Sequence, residues 1–190
     1  MLKVGITGNI ASGKSEVERI LKELGYFVIC ADKIVKDLYK DAKVQNLIVN
    51  KFGTLDKAEL AKLVFSDKVA KKELENILHP MVIRKIEDFF NLNSDKNLVF
   101  ASAALLYEAG LEKLFDAVIL VTCEDETRKK RLMERDNITA ELAELKMASQ
   151  LLQEEKVQQA DFVIENNTTT QALKEKVFNL QGSLNILCGS

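Results

Sequence analysis

Short apolar runs separated by longer amphipathic stretches set the plan of this chain. Leu2 to Ile6, Phe27 to Cys30, Leu98 to Ala101, Ala117 to Val121 and Phe162 to Ile164 are rich in Val, Ile and Phe. Such runs predict strands of a parallel sheet covered on both faces. Between them, helical spacing predicts helices at Lys14 to Glu23, Lys33 to Tyr39, Val44 to Lys51, Lys57 to Phe65, Lys68 to Leu78, Met81 to Phe90, Glu126 to Arg135, Ala140 to Gln150 and Thr170 to Leu180. Thr168 with Gln171 three residues on fits a capping box for the last of these, and Asp125 is placed to cap the helix that carries Arg128, Arg131 and Arg135. The stretch from Asp41 to Phe90 supplies helices and no convincing strand, so it reads as an insertion over one end of the sheet, where an acceptor pocket could form. There are no internal repeats and no low-complexity segments.

Residues 8 to 15 read Gly-Asn-Ile-Ala-Ser-Gly-Lys-Ser, between the first predicted strand and the first predicted helix. This is the spacing G-x-x-x-x-G-K-S of a phosphate-binding loop. Gly8 and Gly13 let successive backbone N–H groups curl around an anion, and the helix N-terminus adds its partial positive charge. Lys14, expected at an exposed loop position, reaches the outer phosphates, and the Ser15 hydroxyl can ligate magnesium.

The 190 residues suffice for one domain with a mobile subdomain. Lys and Arg total 27 against 29 Asp and Glu, a net charge of −2, which gives no general electrostatic reason to bind nucleic acid or an anionic membrane. No apolar run is long enough to span a bilayer or serve as the core of a signal peptide, so a cytoplasmic protein is expected. Cys30, Cys123 and Cys188 are odd in number and widely spaced, which argues for reduced, mostly buried thiols rather than a disulfide framework or a zinc site.

A phosphate loop leaves the reaction open. A GTP switch is disfavoured: no Asp is followed three residues later by Gly, and Asn50-Lys51 continues as Phe52-Gly53. A kinase needs an acceptor-side carboxylate and mobile cations around the transferred group. Asp32, just after the second predicted strand, is placed to accept a hydroxyl proton at the sheet edge where the phosphate loop also lies. It is equally placed to cap a helix beginning at Lys33, and both readings stand at this point. Arg128, Arg131 and Arg135 share one helical face, which suits either a lid that folds over phosphates or a solvated cationic surface.

Taken together the motifs resemble the dephospho-coenzyme A kinase family. The resemblance runs from Val4 to about Val177. It is carried by Gly5 to Ser15, Leu24 to Asp32, Phe52-Gly53, Leu55-Asp56, Leu74-Glu75 leading to Leu78-His79-Pro80, Leu105-Leu106-Tyr107-Glu108, Arg131 to Asp136, Gln150, Lys156 and Ala160 to Asn166. It implies a three-layer α/β P-loop kinase fold over residues 1–190, with a parallel central sheet, a helical acceptor-binding insertion at 41–91 and a helical lid at 126–159. It also implies ATP and dephospho-coenzyme A as substrates. Asp32 is then the general base on the ribose hydroxyl, and Gly8, Asn9, Ile10, Ala11, Ser12, Gly13, Lys14 and Ser15 hold the ATP phosphates with magnesium. Arg131 and Arg135 lie near the transferred group, Asn166 near the adenine, and His79, Pro80, Leu105 and Glu108 at the acceptor.

The chain departs from the family pattern at four places. Cys30 and Ser102 stand where carboxylates are common, Ala103-Ala104 lacks the usual proline, and Lys57 replaces a common arginine, keeping charge without its bidentate geometry. Ala11 replaces a common glycine and is tolerated if its backbone is helical or extended. The rival readings are a nucleoside or nucleoside-monophosphate kinase, in which loop and lid look alike, and a catalytically idle nucleotide-binding module.

Overall fold

A computed structural model describes residues 1–188. The strands β1 (Leu2–Thr7), β2 (Phe27–Cys30), β3 (Leu98–Ser102), β4 (Ala117–Thr122) and β5 (Phe162–Glu165) form one parallel sheet in the order β2-β3-β1-β4-β5. Central β1 pairs with both neighbours, Ile6 lying opposite Ser102 on one side and Ile119 on the other. The chain leaves β1 towards one edge and later crosses from β3 to the opposite side. The carboxyl end of β1 therefore lies at the switch point where open α/β sheets bind ligands.

Strand periodicity explains why the runs read as continuously apolar. Val4, Ile6, Leu98, Phe100, Ile119, Val121 and Ile164 pack in one buried cluster with Val17, Ile20 and Leu21 of α1 (Lys14–Glu23) and Leu173, Val177 and Leu184 of the C-terminal helix (Thr170–Cys188). The alternate residues Val99, Ala101, Val118 and Leu120 are buried as well. With both faces covered, no alternation survives in the sequence.

The chain divides into two compact units, one of Met1–Cys30 and Phe90–Ser190, the other of Ala31–Phe89. The second holds α2 (Ala31–Leu38), α3 (Ala42–Phe52), α4 (Lys57–Ser66) and most of α5 (Lys68–Leu92). Asp41 caps α3 by accepting from the Lys43 amide, and Asp56 caps α4 by accepting from the amides of Ala58 and Glu59. The first unit adds a 3-10 turn at Leu111–Leu114, then α6 (Asp125–Asp136), α7 (Ala140–Ala148), α8 (Gln153–Val157) and the C-terminal helix, α9.

Several expectations need correction. The helices predicted at Lys68 to Leu78 and Met81 to Phe90 are one helix with Pro80 inside it. Proline removes an N–H and crowds the preceding turn, yet Leu78, Val82 and Ile86 are all buried at four-residue spacing, and this stripe carries the helix through. Thr168 does not cap α9. Thr169 does, accepting from the Ala172 amide, and Gln171 donates to Glu175 instead. Asp125 lies within α6 and accepts from Arg128 rather than from a helix amide. Helix α2 starts at Ala31, so Asp32 sits in its first turn and the capping reading of that residue lapses. The short α8 and the 3-10 turn were not anticipated.

Among the described residues, no helix is long and apolar enough to cross a membrane. Cys123 is buried and Cys30 half-buried, both as free thiols. The Cys188 side chain lies outside the described residues.

Candidate active site

The phosphate loop joins β1 to α1, and its shape follows from its glycines. Gly13 has φ +99°, and a Cβ there would stand 2.0 Å from Asn166 Nδ2, so both backbone and space require glycine. At Gly8 a Cβ would meet the Val121 carbonyl of β4 at 2.7 Å. Gly13, the N-cap of α1, makes no side-chain cap bond, and the N–H groups at a helix N-terminus are an arrangement that suits an anion.

Ala11 overturns its expectation. Its φ is +63°, in the left-handed region rather than a helical or extended one. That conformation costs an L-residue about 1–2 kcal/mol, part of which glycine's greater unfolded-state entropy would offset. Ala11→Gly should therefore raise stability by about 0.5–1 kcal/mol, a melting-temperature gain of roughly 2 °C. A fall in melting temperature would show that the alanine carries no strain.

Residues distant in sequence clasp this loop. Asn166, just past β5, donates from Nδ2 to the Ser12 carbonyl at 2.8 Å. Arg131 donates to the Asn166 carbonyl at 3.3 Å and lies 3.3 Å from Cys123 Sγ. Arg128, only 3% exposed, donates to the Ile10 carbonyl at 3.2 Å. From the segment between α7 and α8, Gln150 accepts from the Ile10 amide at 2.7 Å, and the Leu151 carbonyl accepts from Asn9 at 2.8 Å. Beneath these, fully buried Lys156 pairs with Glu108 at 2.7 Å, and the same carboxylate oxygen accepts from the Leu151 amide. The turn bearing Leu105 and Glu108 is thus tied to the segment that holds the loop. Leu105 itself is largely exposed.

Lys14 is not on an exposed loop. It is the first residue of α1, 7% exposed, and its Nζ lies 2.9 Å from Glu18 Oε1 one turn along. Glu18 in turn accepts from Ser102 Oγ at 2.6 Å, at the end of β3. Burial pushes the Cys123 thiol up, partly offset by Arg131 and Arg128, so it stays neutral beside the loop.

Arg135 takes a different position from Arg128 and Arg131. It bonds Asp136 through Nε at 2.8 Å, and Lys146 of α7 pairs with the same carboxylate at 2.9 Å. Hydrogen bonds from Arg135 and Lys146 hold the Asp136 carboxyl well below the usual carboxylate range. A depressed folded-state pKa stabilises above the unfolded value, near 4, and the contribution fades as pH falls towards the folded one. Asp136→Asn should therefore lower stability by up to about 1 kcal/mol at pH 7, with the gap to the parent closing progressively below pH 4. A gap independent of pH would exclude this pairing as its source.

In the second unit, Asp32 is exposed in the first turn of α2. His79 is half-buried in α5, and burial depresses its imidazole pKa against a partial upward pull from Glu75, keeping it neutral near pH 7. Pro80 is exposed.

The donor set suits magnesium. Ser15 presents an exposed hydroxyl at the N-terminus of α1, and no cluster of three His, Cys, Asp or Glu side chains that could hold a metal exists among the described residues. Magnesium typically keeps its waters and binds through one or two protein oxygens plus substrate phosphates.

Sequence reading missed Glu18 as a site residue, although a Lys–Glu pair four apart on a helix is a readable signal. It noted Gln150 and Lys156 without assigning them roles.

The family profile described as dephospho-CoA kinase matches residues 2–173. A dephospho-CoA kinase of Fusobacterium nucleatum is 40% identical over 182 residues, covering 92% of this chain and 94% of that protein. One from Rickettsia bellii is 35% identical, covering 97% and 98%. Among solved structures, a dephospho-CoA kinase from Campylobacter jejuni superposes with a TM-score of 0.70 at 31% identity, covering 96% of each chain. Shikimate kinase from Acinetobacter baumannii, at 20% identity and a TM-score of 0.58, shares the fold.

Proposed function

This chain belongs to the dephospho-CoA kinase family, and we propose that it transfers the γ-phosphoryl group of ATP to the ribose 3′-hydroxyl of dephospho-coenzyme A, giving coenzyme A and ADP, the final step of coenzyme A biosynthesis. The observation that carries the reading is the phosphate loop itself, in which Gly13 opens α1 with φ +99° and Lys14 follows as the first residue of that helix. Magnesium would be held by Ser15 and the ATP phosphates, and when bound it supplies charge neutralisation of the outer phosphates. The loop amides and Lys14 bind and orient those phosphates. Asp32 orients or deprotonates the hydroxyl, and Arg131 and Arg135 cover developing charge as residues 126–159 close as a lid. Residues 41–91, with His79 and Pro80, take the acceptor, along with Leu105 and Glu108, and Asn166 borders the adenine. Free Cys30 and Cys123 suit a reducing cytoplasm.

Incubation with ATP, magnesium and either dephospho-coenzyme A or a panel of nucleosides and nucleoside monophosphates, with products identified by mass, tests the reading. A phosphate gain on dephospho-coenzyme A alone is expected. A gain on a nucleoside or its monophosphate alone would reassign the acceptor, and none on any compound would favour a nucleotide-binding role without transfer.

A further inference from the structure

Glu18 has no assigned role, yet its surroundings are unusual for a helix carboxylate. It is 8% exposed, on the inner face of α1, and its Oε1 accepts from two donors at once, Lys14 Nζ at 2.9 Å and Ser102 Oγ at 2.6 Å. Those donors come from elements far apart in the sequence, the start of α1 and the end of β3, and β3 pairs directly with the strand that feeds the phosphate loop. A lysine ammonium carries three N–H donors on a four-carbon stem with many rotamers. Fixing one donor on a carboxylate that is itself fixed by a hydroxyl removes most of that freedom.

We propose that Glu18, held by Ser102, is a positioning residue that orients the Lys14 ammonium for phosphoryl transfer. The proposal rests on the kinase reading above. Burial gives the arrangement its force. In a site of low effective dielectric, a charge-assisted bond to a preset carboxylate is strong, and a side chain held in one orientation pays no reordering cost at the moment of reaction. Glu18 acts through Lys14 rather than on the substrate, so its loss should appear in turnover more than in ATP affinity. The lost orientation weakens ground-state binding of phosphates, while removal of a nearby negative charge strengthens it, and the two partly cancel. Misplacement of a catalytic group by about 1 Å can cost a hundredfold in rate.

The test uses two variants and two readouts. Glu18→Gln keeps shape but loses the charge, and Ser102→Ala frees Glu18 while leaving its ion pair with Lys14, so the second variant reports even if the first folds poorly. We expect turnover of dephospho-coenzyme A to fall roughly ten- to a hundredfold in Glu18→Gln and severalfold in Ser102→Ala, with the ATP dissociation constant within about threefold of the parent. Nitrogen-15 NMR of the lysine ammonium groups, with Lys14 assigned through Lys14→Arg, supplies a readout independent of the acceptor. The Lys14 signal should be sharp in the parent and broadened or lost in both variants. Retention of that signal in both variants, or of parental turnover in folded protein, would overturn the proposal. If the parent fails to phosphorylate dephospho-coenzyme A, the functional reading falls on its own account, and the ammonium signal still decides whether Glu18 positions Lys14.

Discussion

Lys14→Ala is expected to lower phosphoryl transfer by roughly a thousandfold or more, to the limit of detection. The cation that follows the outer phosphates through the reaction is gone, and neither loop amides nor arginines replace a charge at that point. The variant also carries a structural cost that an exposed loop lysine would not. Lys14 is buried against Glu18, and breaking such a pair leaves a carboxylate in low dielectric with Ser102 as its remaining partner among the bonds described above. Loss of one member of a buried ion pair costs about 3 kcal/mol. A fall in activity alone would therefore be ambiguous. Lys14→Met combined with Glu18→Gln removes both charges and keeps much of the buried volume, so its melting temperature should return towards the parent while turnover stays lost. Near-parental turnover in either folded protein would remove the phosphate loop from the mechanism.

The same pair shows what sequence could and could not convey. The loop was legible because its geometry is local: glycines at fixed spacing, a strand before and a helix after. The strand runs were legible because burial on both faces leaves a continuous apolar stretch, and strand and helix cores fall where that pattern puts them. What failed depended on tertiary context. Pro80 reads as a stop, and the buried stripe Leu78, Val82, Ile86 continues the helix through it. Ala11 reads as tolerated only if its backbone is helical or extended, and the left-handed backbone that fails this condition emerges only once the loop is closed. Ser102 reads as a missing carboxylate, and a different carboxylate, Glu18, reaches it across 84 residues of sequence. The clasp on Ile10 by Arg128 and Gln150 likewise joins residues more than a hundred positions apart, which no local pattern encodes.

Asp32→Asn should lower turnover by roughly a hundredfold to ten-thousandfold, the range typical of losing a general base. Asn matches Asp in size but cannot accept the hydroxyl proton. Its place in the first turn of α2 puts a negative charge where it complements the helix dipole by about 0.5 kcal/mol, and the melting curve reads the whole effect on folding. Helix capping does not enter, because α2 already begins at Ala31. ATP affinity should remain within a few-fold, since the proposed duty of Asp32 concerns the acceptor and not the nucleotide. Steady-state kinetics and ATP titration on one preparation, with a melting curve as a check on folding, separate the possibilities. Retained turnover would mean that another group serves as base. Lost turnover with parental ATP affinity and melting would assign the proton to Asp32.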